Sequence, residues 1–218
     1  MRSQASIQKG FLLIISACLL CECKPVVDLN RALKNRPETS AQYYDRAYAK
    51  MELEKDFHGA LNDLNEAINI NSKFIKAYSL RGLVKSNLKD THGAIEDYTK
   101  ELELAPRNSY AYYNRANERV VLNDLTGAIA DYSKSVALNP KYVNAYVNSG
   151  ITRYKLEDDV GAIEDSKAIR LDPKQAQAYF NRGMCKFNLD QDGCVDLNKA
   201  KELGHDRAKK AIEENCGN

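Results

Sequence analysis

Two rhythms run along the chain from about residue 40. Apolar residues recur at helical spacing inside short blocks, and the blocks themselves recur every 34 residues. In AYYNRANERVVL (111–122), Tyr112, Ala116 and Arg119 fall on one side of a helix. Asn123-Asp124 interrupts it, and an Asp there can accept hydrogen bonds from the unpaired N–H groups that open the next helix. TGAIADYSKSVAL (126–138) then places Ala128, Ile129, Tyr132 and Val136 on one face. Asn139-Pro140 stops it, because proline lacks the donor and clashes with a continuing helix. The pattern predicts a hairpin of two helices per block.

The long period is carried by single residue types. Gly59, Gly93, Gly127 and Gly161 are each 34 apart, as are Asp56, Asp90, Asp124 and Asp158. Asp63, Asp97, Asp131 and Asp165 keep the same step. Tyr43, Tyr78, Tyr112, Tyr146 and Tyr179 follow at 35, 34, 34 and 33, and Pro106, Pro140 and Pro173 close three units. A period of this length signals a stacked array. The pattern resembles the tetratricopeptide repeat (TPR), with an aromatic at position 4, a small residue at 8, Ala at 20, an aromatic at 24 and Pro at 32. Residues 75–108 supply Tyr78, Gly82, Ala94, Tyr98 and Pro106, and residues 109–142 supply Tyr112, Ala116, Ala128, Tyr132 and Pro140. Residues 143–175 supply Tyr146, Gly150, Ala162 and Pro173. Residues 40–74 supply Tyr43, Ala47 and Ala60, with one extra residue near Lys55 and Asn71 in the proline slot. A shortened fifth unit, 176–204, begins with Tyr179 and Gly183.

The resemblance implies an all-α fold, a right-handed superhelical stack of helix-turn-helix hairpins. Residues 205–218 read as an amphipathic capping helix, with Ala208, Ala211 and Ile212 over the open end. Gly82, Ala116 and Gly150 on the first helix, and Ala94, Ala128 and Ala162 on the second, let the two helices of a unit approach closely. The fourth unit lacks one residue beside the aromatic slot, where EDS stands for ADYS. A deletion inside a helix turns everything beyond it by about 100°. Either Ser166 takes the slot and the slack is absorbed before Pro173, or the helix distorts locally. The second helix of this unit is expected to be the least well packed.

The first residues follow another pattern. Arg2 and Lys9 precede the apolar run FLLIISACLL, which is shorter than the about 20 residues a spanning helix needs. A basic start and short apolar stretch read as a secretory signal, residues 1–17. ISAC (15–18) resembles the lipobox of bacterial lipoproteins, which implies cleavage before Cys18, acylation of that residue and a membrane anchor. A plain cleaved signal or an uncleaved anchor are the alternatives. Residues 18–39 would then be the anchor cysteine and a tether. Localisation follows as exported, at a bacterial envelope membrane, or secreted or periplasmic after plain cleavage.

Composition narrows the function. The chain is 44% hydrophobic and 28% charged with a net charge of +2, so no overall basic excess points to nucleic acid. Of the six cysteines, Cys185, Cys194 and Cys216 lie far from the signal; one bridge among them is open, and the sequence does not choose the pair. Arg46, Arg81, Arg115 and Arg182 hold position 7, and Lys50, Lys85, Arg119, Arg153 and Lys186 hold position 11. They form a basic stripe that the helix-B aspartates are placed to neutralise as exposed pairs. His58 and His92 share one repeat position but lack a third metal ligand. No catalytic constellation, phosphate loop or cofactor motif stands out, so the reading is a non-enzymatic scaffold without a cofactor.

What remains is a surface. The TPR resemblance implies that the first helix of each unit lines a concave groove for a protein or peptide partner. Its positions here hold Tyr44, Tyr48, Tyr110, Tyr113, Asn114, Asn117, Asn148, Ile151, Tyr154, Phe180, Asn181 and Met184. Aromatics with amides suit a peptide, since rings supply apolar area and amides bond to an extended backbone. Cochaperone members of the family grip a C-terminal carboxylate with Lys and Arg beside Asn. Here Asn117, Asn148 and Asn181 match, but Tyr113 and Gln177 stand where cations are required, which argues against that grip. The expectation is an envelope-anchored scaffold, or alternatively an envelope assembly or chaperone-type factor that binds unfolded clients.

Overall fold

The computed structural model describes residues 29–34, 36–164 and 166–216. The signal, Cys18 and Asp165 lie outside the described residues. Among the described residues there are helices and connecting turns, and no strand. A short helix α1 (Leu29–Lys34) packs on α2 (Ser40–Ala49), so part of the segment expected as tether is folded against the array. The hairpins follow as α2 with α3 (Phe57–Ile70), α4 (Ile75–Asn87) with α5 (Thr91–Leu104), and α6 (Ser109–Val121) with α7 (Leu125–Leu138). Then come α8 (Val143–Lys155) with α9 (Asp159–Glu164) and α10 (Lys167–Leu171), and α11 (Ala176–Asn188) with α12 (Cys194–Glu202). Helix α13 (Ala208–Asn215) packs on α12 and closes the series.

The periodic Asp and Gly are one device. Asp56, Asp90, Asp124 and Asp158 accept hydrogen bonds from the N–H of Gly59, Gly93, Gly127 and Gly161 at 2.8, 3.0, 2.9 and 2.9 Å. A methyl group on any of these glycines would run into the Asp carboxylate. Just before each cap the chain passes through a left-handed residue, at Lys55, Lys89, Asn123 and Glu157, which turns the first helix into the second. The small residues act as expected at Gly82, where a Cβ would sit 2.7 Å from the ring of Tyr98. Tyr98 and Tyr132 fill their slots almost completely buried.

Two length defects are resolved in different ways. The extra residue of the first unit becomes a π-helical turn, Lys50–Glu54, which holds one more residue than the α-helical turn it replaces. The deletion in the fourth unit splits its second helix into α9 and α10, with Ser166 at the break. Local distortion is therefore the outcome, not Ser166 in an unbroken helix. Beyond the break Ala168 and Ile169 return to the buried face beside Tyr146 and Val147. One broken turn absorbs the missing residue before the next hairpin has to dock.

The basic stripe is consumed inside the array. Asp63 takes Arg46 Nε at 2.9 Å and Lys50 Nζ at 2.8 Å; Asp97 takes Arg81 Nε at 2.9 Å and Lys85 Nζ at 2.9 Å. Asp131 takes Arg115 Nε and Arg119 Nη1, each at 2.8 Å. These are not the exposed pairs expected from sequence, because the three carboxylates are buried. In the fifth unit Asp196 plays this part with Arg182 and Lys186. In the fourth, position 7 is Ser149, and Arg153 binds the cap Asp158 at 2.8 Å.

Candidate functional site

Helices α6 and α8 stand side by side, and their facing side chains, with Tyr132 from α7, build a recess of about 180 Å³ lined by Asn117, Val120, Tyr132, Asn148, Ile151 and Thr152. None of the six carries a formal charge. The polar floor is a hydrogen-bond network. Tyr132 Oη donates to Asn117 Oδ1 at 2.6 Å, and Asn148 Nδ2 donates to the same oxygen at 3.0 Å and to Tyr113 Oη at 3.1 Å. Thr152 Oγ1 donates to the Asn148 carbonyl at 2.7 Å. Burial pushes the Tyr132 phenol far above its ordinary value, so it stays a donor and fixes which end of Asn117 faces it. Asn117 Nδ2 and Asn148 Oδ1 have no hydrogen-bond partner among the described residues. The recess thus offers one amide donor and one amide acceptor, which is what one peptide unit of an extended chain requires.

An aromatic wall runs beside it. Tyr113 packs on Tyr142 at 4.8 Å between ring centroids and on Tyr132 at 5.9 Å, and Tyr110 packs on Tyr142 at 5.0 Å. Tyr110 remains 43% exposed, so this wall continues onto the surface.

The twelve residues expected to line the groove do not form one patch. Tyr110, Tyr113, Asn117, Asn148 and Ile151 come together at this recess. Asn114 and Tyr154 are half-buried on the same two helices. Tyr44 packs on Phe74 at 5.5 Å in the first unit, where Tyr48 is exposed. Phe180 and Asn181 are buried under the C-terminal cap. Phe180 stacks on His205 at 4.1 Å beneath Arg207, and Met184 packs into the same cluster. Asn181 accepts from Gln177 Nε2 at 2.7 Å, and Gln177 Oε1 meets His205 Nε2 at 3.1 Å. The cap occupies the place a ligand would take there.

Sequence reasoning missed Tyr132, Tyr142, Val120 and Thr152 as parts of the site. Tyr142 had a signal: Phe74 stands two repeat periods earlier, and each of the two packs on a first-helix tyrosine. Among the described residues no cluster of three His, Cys, Asp or Glu is placed to hold a metal ion, and no helix is long and apolar enough to cross a membrane.

Family models match residues 75–108 as a tetratricopeptide repeat and residues 116–157 as a TPR repeat. The fold is a tetratricopeptide-repeat stack. Solved structures agree. YrrB, described as a TPR protein with an unusual peptide-binding site, is 20% identical at a TM-score of 0.73, covering 85% of this chain and 98% of its own. MamA from Desulfovibrio magneticus RS-1 is 21% identical at a TM-score of 0.71, covering 78% of this chain and 97% of its own. The first TPR of Spaghetti (RPAP3), bound to the HSP90 peptide SRMEEVD, is 25% identical at a TM-score of 0.53, covering 56% of this chain and 97% of its own. Comparison with curated protein sequences gives no match. The TPR stack and these neighbours support a protein-interaction scaffold.

Proposed function

We propose that this TPR stack is a non-enzymatic scaffold whose recess between the third and fourth units binds an extended, uncharged peptide segment of a partner protein. The observation that carries the reading is the amide pair Asn117 Nδ2 and Asn148 Oδ1, left without protein partners at an uncharged recess. The pair bonds to the carbonyl and N–H of one peptide unit, and Val120 and Ile151 receive an apolar side chain. The groove neighbours are bound to, or described as binding, peptides, which supports the reading. An acidic C-terminal peptide like SRMEEVD does not suit this recess, which has no cation to meet a carboxylate. The test is titration with amidated neutral peptides against their free-acid forms. The two forms bind alike, with little salt dependence, and Asn148→Ala weakens both about tenfold, the weight of one lost hydrogen-bonded pair. A free-acid preference removed by salt contradicts the reading.

The scaffold is further proposed to be a lipoprotein of a bacterial envelope, anchored through Cys18. The disulfide Cys194–Cys216 supports export, because such bridges persist in oxidising compartments. Mass spectrometry of the mature N-terminus is expected to show an acylated Cys18; an intact Met1 would overturn the assignment.

A further inference from the structure

Glu101 stands where the other units place small side chains. Its counterparts in the stack are Ala67, Ser135 and Ala168, yet it is itself only 1% exposed. Its Oε1 accepts from Asn108 Nδ2 at 2.6 Å, while its buried Oε2 has no hydrogen-bond partner. Asn108 does two jobs at once, since its Oδ1 also accepts from the Tyr110 N–H and so caps α6. Glu101 therefore sits at the joint where α5 hands the chain to α6.

The joint has little to balance a negative charge. From α4, Arg81 and Lys85 are both bound to Asp97, and Ser79 contributes only a neutral hydroxyl beside Glu101. From α6, Arg115 is bound to Asp131, and Glu118 is a second buried carboxyl, accepting from Ser86 Oγ at 2.6 Å. On α5 itself Tyr98 lies within the field of Glu101, Glu118 and Asp97. A buried carboxylate with only neutral groups, Ser79 and Asn108, to meet it is costly, and a proton or water relieves it.

We propose that Glu101 is a proton-operated joint between the second and third units: neutral, it keeps α4, α5 and α6 packed; ionised, it opens the joint to water. Burial pushes the Glu101 carboxyl up to about 7, against the smaller opposing pull of Ser79 and Asn108. Its unfolded value is 4.5, so between that pH and about 7 the closed joint holds a proton that the open joint releases. Closure is favoured at low pH and weakened as pH rises through this window. The closed-to-open ratio falls by about a hundredfold across it when opening hydrates the carboxyl fully.

The experiment is amide hydrogen exchange on the whole chain at pH 5 and pH 8, with each rate divided by its intrinsic value. Protection in α5 and the first turn of α6 is expected to fall by 10- to 100-fold at the higher pH, while α2 and α3 hold steady. Glu101→Gln abolishes that fall. Glu101→Ala, which restores the residue of the first and fourth units, does the same and serves where the Gln form does not fold. The carbon-13 shift of the Glu101 carboxyl reports the titration directly and is expected to move near neutral pH. A midpoint at the ordinary glutamate value overturns the proposal, as does equal protection at both pH values or the same fall in either variant.

Discussion

Asp131→Ala is expected to lower the stability of the array by about 2–4 kcal/mol, read as a lower urea midpoint. Asp131 is buried and collects three charge-assisted bonds at 2.8 Å, two from Arg115 and one from Arg119. Removing the carboxylate leaves both guanidiniums facing a gap. Breaking a buried ion pair by deleting one partner costs about 3–5 kcal/mol. The guanidinium side chains here are 14% and 25% exposed and keep bonds to Thr99 Oγ1 and the Gly127 carbonyl, which places the loss toward the lower end. Asp124→Ala is the control. It removes a helix cap and a longer, more exposed pairing with Arg119 Nε at 3.6 Å, and is expected to cost about 1 kcal/mol. An Asp131 variant no worse than the Asp124 variant would mean that the buried ladder contributes little.

Two other carboxylates of the ladder, Asp63 and Asp196, bear on the acid limit. Burial pushes the Asp63 carboxyl up, but Arg46 and Lys50 more than reverse this and hold it below its ordinary value; Asp196 behaves likewise with Arg182 and Lys186. A depressed carboxyl contributes stability above its unfolded value, and that contribution is lost as pH falls through the folded one. These groups therefore hold down to mildly acidic pH, the opposite direction to Glu101.

The second large effect is expected at the C-terminal end. Cys194 and Cys216 are bridged across 22 residues, tying the start of α12 to the end of α13. A loop of this size lowers unfolded-state entropy enough to contribute about 3 kcal/mol. The cap beneath it is small: Phe180, Leu197, Ala200, Ala208 and Ala211 form its buried cluster. Replacing both cysteines by Ser is expected to cost the cap about 3 kcal/mol. Limited proteolysis would show cuts around α13 while α2 to α7 stay resistant. A dithiol reductant should reproduce the effect in the unsubstituted chain and add nothing to the double variant. Equal resistance with and without the bridge would show that apolar packing alone holds the cap.

The array was legible in the sequence because each landmark has a mechanical role that admits few residue types. Asp and Gly recur together since the cap needs both a carboxylate and the missing Cβ beside it. Tyr98 and Tyr132 recur because a ring fills the same gap between helices. The defects were legible as positions but not as outcomes. A π-turn at Lys50–Glu54 and a break at Ser166 depend on what neighbouring hairpins tolerate, which single-chain periodicity does not contain. The site was half legible. First-helix positions found Asn117 and Asn148, but Tyr132 reaches the recess from a second helix, and Tyr142 joins the aromatic wall beside it from a loop. Phe180 and Asn181 hold the same repeat positions yet are closed over by a cap that the repeat pattern does not describe.

The seat of the peptide is the point on which the functional account turns. The direct measurement is the amide and side-chain NMR shifts of the chain during titration with a neutral, amidated peptide bearing one branched apolar residue. Saturable shifts gathered on α6 and α8, with the Asn117 and Asn148 side-chain amides among the largest, are the predicted result. Saturable binding that moves the C-terminal cap or the second helices and leaves those two amides still would contradict it.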